Sequence, residues 1–147
     1  MKEILQQLSA YNLWANDLLC NTINALPVEV QTREVKSSFS TLMKTILHLW
    51  DAESIWWQRM KLQERIVLPG ESFNGNMLDA SEGLRQQDKQ WDTWISSAQE
   101  HHLQHVFQYQ NSKREQFRQP HYQMILLFST MALITAASRN NAASTGG

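Results

Sequence analysis

FSTLMKTILHLWDAESIWWQR, residues 39–59, is the stretch that decides the fold of this chain. Its apolar residues recur at intervals of three and four, the spacing of a helix that buries one face. They are Phe39, Leu42, Ile46, Leu49 and Trp56, and Met60 continues the series. Ser37 or Ser38 is expected to cap this helix, because a side-chain hydroxyl there accepts a backbone N–H that has no partner inside the helix. One imidazole, His48, lies within the apolar run and is the first candidate functional residue.

Four helices are predicted along the chain from the same kind of periodicity. They span residues 2–25, about 39–63, 78–100 and a segment that begins at His121. Asp79 or Ser81 is expected to cap the third helix, and Pro120 can start the fourth because its missing N–H costs nothing there. The polar residues 28–37 are interpreted as an irregular connection, and residues 66–77 as a loop.

A short hairpin is predicted between the third and fourth helices. Within residues 102–110, apolar and aromatic residues alternate with polar ones, a pattern that favours a strand. After a turn, residues 116–118 can return as a second strand. The predicted fold is therefore all-α, a four-helix bundle with a β-hairpin before the last helix. It occupies one domain of residues 1–140, followed by a loose tail at residues 141–147.

Composition argues against several classes of protein. The net charge is −1 and no run of Lys and Arg exceeds two residues, which argues against nucleic-acid binding. No apolar run approaches the ~18 residues that span a bilayer, and no signal-peptide pattern is present. The single cysteine, Cys20, excludes an intramolecular disulfide and fits a reducing compartment. We expect a cytoplasmic protein with no nucleic-acid or membrane partner, in which Cys20 is a buried, unreactive thiol.

The six tryptophans leave two interpretations open. Three of them, Trp50, Trp56 and Trp57, lie on the predicted second helix. Because each buries a large area, they are expected to fill the core and a dimer interface. The alternative is that some of them line a pocket for a small-molecule ligand.

The other four histidines are weaker candidates than His48. They are His101, His102, His105 and His121. His101 and His105 have the i, i+4 spacing of helical metal ligands, but residues four apart on a strand lie about 13 Å from each other. The strand interpretation therefore predicts that both are surface histidines. Asp51 and Glu53 are expected to face water rather than to join His48 as ligands.

Three segments of the sequence resemble the DinB family of small helical-bundle proteins. They are YNLWAND at 11–17, TILHLWDAESIWWQR at 45–59 and QYQNSKREQFRQPHYQMIL at 108–126. The resemblance implies an up-down-down-up bundle, often a homodimer, in which three histidines hold a divalent metal, zinc or nickel. The first of these histidines falls on His48. Better-understood relatives are thiol-dependent transferases or isomerases, so the implied activity is that of a metal-dependent, thiol-using transferase or hydrolase.

The family's fourth-helix signature, of the form HVFNHGTYHRGQ, is absent. One encoding of ILHVFNHGTYHRGQ, after loss of a single A from the His codon, translates as ILLFSTMALITAA. That peptide is identical to residues 125–137 of this chain. We therefore hypothesise that the C-terminus is the product of a frameshift in an ordinary family member, which sequencing of the gene would test.

The altered segment removes two of the three implied ligands. The missing histidines would occupy the positions of Met131 and Thr135, which have i, i+4 spacing. Thioether and hydroxyl groups are poor replacements for imidazole toward zinc or nickel. We therefore expect a degenerate metal site and no specific catalytic residues. The alternative function, from a different class, is a non-catalytic dimeric bundle that acts as a scaffold or binds a small ligand.

Overall fold

The computed structural model describes residues 1–36, 39–127 and 129. The helices are α1 (Lys2–Asn24), α2 (Val28–Thr32), α3 (Leu42–Met60), α4 (Met77–Ser97) and α5 (Glu100–Gln104). A 3-10 turn at Pro69–Glu71 follows α3, and the strands are β1 (Val106–Gln110) and β2 (Gln116–Pro120). Residues 121–127 are again helical. The chain is thus mostly helical, with an antiparallel two-stranded hairpin before the last helix.

In both α3 and α4, the residue that caps the helix lies a few positions before or after the predicted one. Thr41 caps α3, since its Oγ1 accepts the backbone N–H of Lys44 at 3.1 Å. Ser37 and Ser38 lie outside the described residues. Asn76 caps α4, and Asp79 closes the reciprocal hydrogen bond of a capping box instead of serving as the cap itself.

Two short elements were also missed. Residues 28–37 are not wholly irregular, because α2 forms one helical turn within them. The strand begins only at Val106, because α5 occupies the start of the stretch that was interpreted as alternating. In the hairpin, Phe107 pairs with Gln119 and Tyr109 with Phe117.

Both α1 and α3 pack on α4, and their contacts divide the interior into two apolar clusters. The first cluster joins Leu5, near the start of α1, to Met60, Trp91 and Ile95, which lie near the C-terminal ends of α3 and α4. The second cluster joins the end of α1 to the starts of α3 and α4. Its buried members are Cys20, Ile23, Ile46, Leu49, Met77, Ala80 and Leu84. On each of the three helices, buried polar residues lie between the two clusters along the chain.

The tryptophans lie both in the core and along a surface groove, while their roles in a dimer interface and in ligand binding stay predictions. Trp91 is buried in the first cluster, and Trp50 packs against the second. Trp57 and Trp94 pack against the first cluster with one side and line a surface groove with the other. Cys20 is fully buried, as predicted, and burial raises the pKa of its thiol.

The up-down-down-up order of all four helices remains a prediction, since residues 128 and 130–147, where most of the fourth helix is predicted, lie outside the described residues. The same holds for the loose tail at 141–147. Within the described residues, no helix is both long and apolar enough to cross a membrane.

Candidate functional site

His48 lies half-buried on α3, and its ring stacks on that of Phe39. The ring centroids are 4.2 Å apart and the planes are inclined by 29°. Burial lowers the pKa of the imidazole, an effect that the carboxylate of Asp51 partly opposes. The neutral imidazole is therefore favoured, which is the form that can ligate a metal.

Asp51 is the acidic residue whose charge acts on the pKa of His48, but its carboxylate is hydrogen-bonded to the backbone of Gly70. Its Oδ1 accepts the backbone N–H of Gly70 at 2.6 Å, so it tethers the 3-10 turn to α3. A Cβ at position 70 would lie 2.5 Å from Asp51 Oδ2, and only glycine allows this close approach. The carboxylate is half-buried, and the expectation that it faces water was wrong.

The described residues do not fit a three-ligand metal centre at His48. Within residues 1–36, 39–127 and 129, no group of three or more His, Cys, Asp or Glu side chains could hold a metal ion. Met131 and Thr135, which stand where the family's other two histidines are expected, lie outside the described residues. What remains of the implied donor set is one imidazole, since neither a thioether nor a hydroxyl is a good ligand for zinc.

The remaining histidines gather at the base of the hairpin. His101 and His102 lie in α5, and His105 caps its end. All three are exposed, as expected for His101 and His105, although His101 is on a helix rather than a strand. His121 is tied to this end by a contact of 2.9 Å between its Nδ1 and the carbonyl oxygen of His102. These histidines lie on the hairpin side of the fold and do not join His48.

A buried polar cluster of four residues, which the sequence analysis missed, crosses the bundle between the two apolar clusters. Its members are Asn12 and Asn16 of α1, Glu53 of α3 and Asp88 of α4. Asn12 Nδ2 donates to Glu53 Oε1 at 2.9 Å and to Asp88 Oδ1 at 3.0 Å. Asn16 Nδ2 donates to the same two atoms at 3.1 and 3.0 Å. We call this group the polar quartet.

The two carboxyl groups of the polar quartet both have raised pKa values. Glu53 is 1% exposed and Asp88 is 2% exposed, so two full negative charges here would be costly. Burial, followed by the neighbouring charge of Glu53, raises the pKa of Asp88 to about 10. Burial also raises the pKa of Glu53, while a hydrogen bond from Asp88 lowers it. Asp88 is therefore protonated at neutral pH.

Glu53 is the clearest error of the sequence interpretation, because it was expected to face water. A signal for the polar quartet was present in the sequence. Asn12 and Asn16 continue the buried face of α1 at helical spacing between Leu5 and Cys20. Polar residues in such core positions indicate a hydrogen-bonded interior layer.

The fold and site define a helical protein with a half-buried histidine at one end of a three-helix interface and a polar layer across its middle. The sequence profile of the DinB family matches residues 1–130. The chain therefore belongs to the DinB family. The match ends before Met131, the first of the two positions where the missing histidines are expected. No curated protein and no solved structure matches the chain.

Proposed function

We propose that this chain is a DinB-family bundle whose family activity is that of a metal-dependent, thiol-using transferase or hydrolase, and whose metal centre is degenerate. The observation that carries the proposal is the isolation of His48. It presents a half-buried, neutral imidazole, yet no group of potential ligands accompanies it among the described residues.

The ring environment of His48 supports this proposal. The imidazole packs face to face on Phe39. Asp51, the one carboxylate that influences its pKa, is held by the backbone of Gly70. A zinc or nickel ion would need further ligands, and Met131 and Thr135, which stand where the family resemblance implies them, supply no imidazole.

Elemental analysis of the purified protein tests the proposal. We expect zinc and nickel contents no higher than those of the His48→Ala variant, which serves as the matched control. Stoichiometric metal that is lost in His48→Ala would overturn the proposal, because His48 would then share a centre with other ligands. Such a result would assign the chain to the metal-holding members of its family.

A second candidate function, as a non-catalytic dimeric scaffold, draws support from the outer face of α1. Four large apolar side chains on this helix are about half exposed: Ile4, Tyr11, Trp14 and Leu18. Their spacing of seven, three and four places them along one stripe of the helix. An apolar stripe of this kind fits a homodimer interface, because its contact with a second copy would remove it from water.

Molar mass by light scattering tests the dimer. We expect a dimeric wild-type protein and a predominantly monomeric Trp14→Glu variant, with Lys2→Glu as a control for an added negative charge on the same helix. A monomeric wild-type protein would contradict the scaffold proposal. The small-ligand alternative centres on the groove that Trp57 and Trp94 line, and the cytoplasm is the proposed location because the one cysteine is a buried thiol.

A further inference from the structure

Arg59, near the end of α3, carries a charge that the described part of the chain does not neutralise. Its guanidinium carbon lies 4.8 Å from the ring centroid of Trp56 and 5.3 Å from that of Tyr109. The two rings come from α3 and β1, so the guanidinium bridges the helix and the hairpin. Such cation–π contacts hold an arginine in place without using its hydrogen-bond donors.

The donors of Arg59 are left partly unused. Among the described residues, Arg59 forms no ion pair, and its Nε is buried without a hydrogen-bond partner. Burial also lowers the pKa of the guanidinium, which is a sign of its desolvation. A half-buried cation with a buried donor that has no partner carries a desolvation cost, which a bound anion would reduce.

A pocket of about 370 Å³ opens beside Arg59. Gln63, Gln108 and Gln110 line it, and their side-chain amides carry N–H groups that can donate to an oxyanion, although the amide of Gln108 already donates one hydrogen bond to Gln116. Leu62 and Ile66 contribute apolar surface to the same wall. The pocket thus combines a fixed guanidinium, neutral donors and an apolar flank.

The charged side chains that line the pocket indicate which class of anion it favours. Glu64 also lines the pocket and forms no ion pair with Arg59. Its carboxylate repels a doubly charged phosphate more strongly than a singly charged carboxylate. The planar guanidinium matches a carboxylate group with two parallel hydrogen bonds.

We propose that the Arg59 pocket binds the carboxylate of a small organic acid that has an apolar body. The carboxylate lies against the guanidinium, and the apolar body contacts Leu62 and Ile66. The site does not depend on the metal proposal, because Arg59 is eleven residues from His48, or about 16 Å along α3.

Calorimetric titration of the full chain with hexanoate, acetate and inorganic phosphate tests this pocket. We expect hexanoate to bind more tightly than acetate, and phosphate to bind least. Arg59→Gln should weaken hexanoate binding by ~10-fold or more, the loss expected for a charged hydrogen-bonded contact. Arg59→Lys should also weaken it, because the point charge remains but the planar fork is lost.

Two further variants test whether changes in hexanoate binding arise at this pocket. Arg65→Gln removes a neighbouring exposed arginine that does not line the pocket, so hexanoate should bind as in the wild-type protein. Gln110→Glu adds a negative charge at an exposed lining position, where folding is not at risk, and should weaken binding. Undetectable hexanoate binding by the wild-type protein, or equal binding by wild-type, Arg59→Gln and Gln110→Glu proteins, would overturn the proposal. Tighter binding of phosphate than of hexanoate would overturn the choice of ligand class.

Discussion

Asn16 on α1 spans both carboxylate oxygens of Asp88 on α4, with its Nδ2 at 3.0 Å from Oδ1 and 3.2 Å from Oδ2. Both residues are almost fully buried, so this contact fixes the two helices against each other without help from solvent. The hydrogen bond from Asn16 lowers the pKa of Asp88, but burial and the neighbouring Glu53 raise it more, so Asp88 affects how the stability of the bundle responds to pH.

Asp88→Asn should flatten the pH dependence of stability. The pKa of Asp88 is raised to about 10 in the folded protein, so this residue binds a proton that the unfolded chain has released. Its contribution is fully present below the unfolded pKa of about 3.9 and is lost as pH rises through about 10, at up to ~1.4 kcal/mol per pH unit. Urea unfolding at pH 5 and pH 8 should show a smaller decline for Asp88→Asn than for the wild type.

Asp92→Asn is the matched control for this measurement. Asp92 lies on the same helix, is half-exposed and accepts a hydrogen bond from Ser9 at 2.9 Å. Its removal should leave the wild-type decline between pH 5 and pH 8 in place. An unchanged decline in Asp88→Asn would mean that the polar quartet does not hold the additional proton.

Asn16→Ala should strongly destabilise the bundle. The change removes one of the two amide donors from both Glu53 and Asp88, and the loss of a buried hydrogen bond costs about 1–3 kcal/mol each. We expect the free energy of unfolding to fall by ~2–4 kcal/mol. Asn21→Ala, on the exposed face of the same helix, should change it by less than about 1 kcal/mol, and equal effects of the two changes would contradict a role for the quartet.

Restoring the substituted ligand positions should recover metal affinity. In a Met131→His, Thr135→His double variant, two imidazoles have the i, i+4 spacing that lets helical histidines share one metal. Zinc binding, measured by competition with a chromogenic chelator, should be at least ~100-fold tighter than in the wild-type chain. The same double variant carrying His48→Ala should lose most of that gain; if it does not, His48 is not part of the centre.

Leu62→Gly should stabilise the protein slightly. Leu62 follows the end of α3 with a φ of 54°, and its N–H donates to the carbonyl oxygen of Arg59. Glycine is favoured at this left-handed position, where other residues incur about 1–2 kcal/mol of strain. Glycine also gives the unfolded chain more conformational freedom, which offsets part of that gain. We therefore expect an increase of ~0.5–1 kcal/mol in the free energy of unfolding.

Gln63→Gly is the control for Leu62→Gly, because the backbone of Gln63 is not left-handed. It should lower the free energy of unfolding, since glycine there adds freedom to the unfolded chain and relieves no strain. Thermal unfolding by circular dichroism separates the two variants. A lower midpoint for Leu62→Gly than for the wild type would show that the apolar contacts of Leu62 outweigh its strain.

The elements that sequence could predict are those whose apolar residues repeat over several turns. The first, second and third predicted helices agree with α1, α3 and α4 to within a few residues. Their caps were misplaced, because several hydroxyl, amide and carboxylate residues near each start can accept the same backbone N–H groups. The single-turn helix α2 was missed because five residues contain too little periodicity to distinguish a helix from a connection.

The interior polar groups were harder to predict than the helices. Glu53 was assigned to solvent because a carboxylate is rarely buried, and its partner Asp88 is 35 residues away in sequence. Only the packing of α1 and α3 on α4 brings the two carboxyl groups and their asparagine donors together. The sequence also could not show that Arg59 has no ion-pair partner among the described residues, because this depends on which residues the hairpin places around the guanidinium.

The polar layer also sets the alignment of the helices. A slide of α1 by one turn, about 5.4 Å, would leave only one of the two asparagines against the carboxyl groups, because Asn12 and Asn16 are four residues apart, and would remove half of their donors. Only one alignment of α1 with α3 and α4 therefore places both asparagines against the two carboxyl groups, much as a single buried asparagine selects one alignment in a coiled coil. All four residues of the layer lie within residues 12–88, well ahead of the point where the family pattern breaks off. The information that aligns α1, α3 and α4 is thus independent of the altered C-terminus.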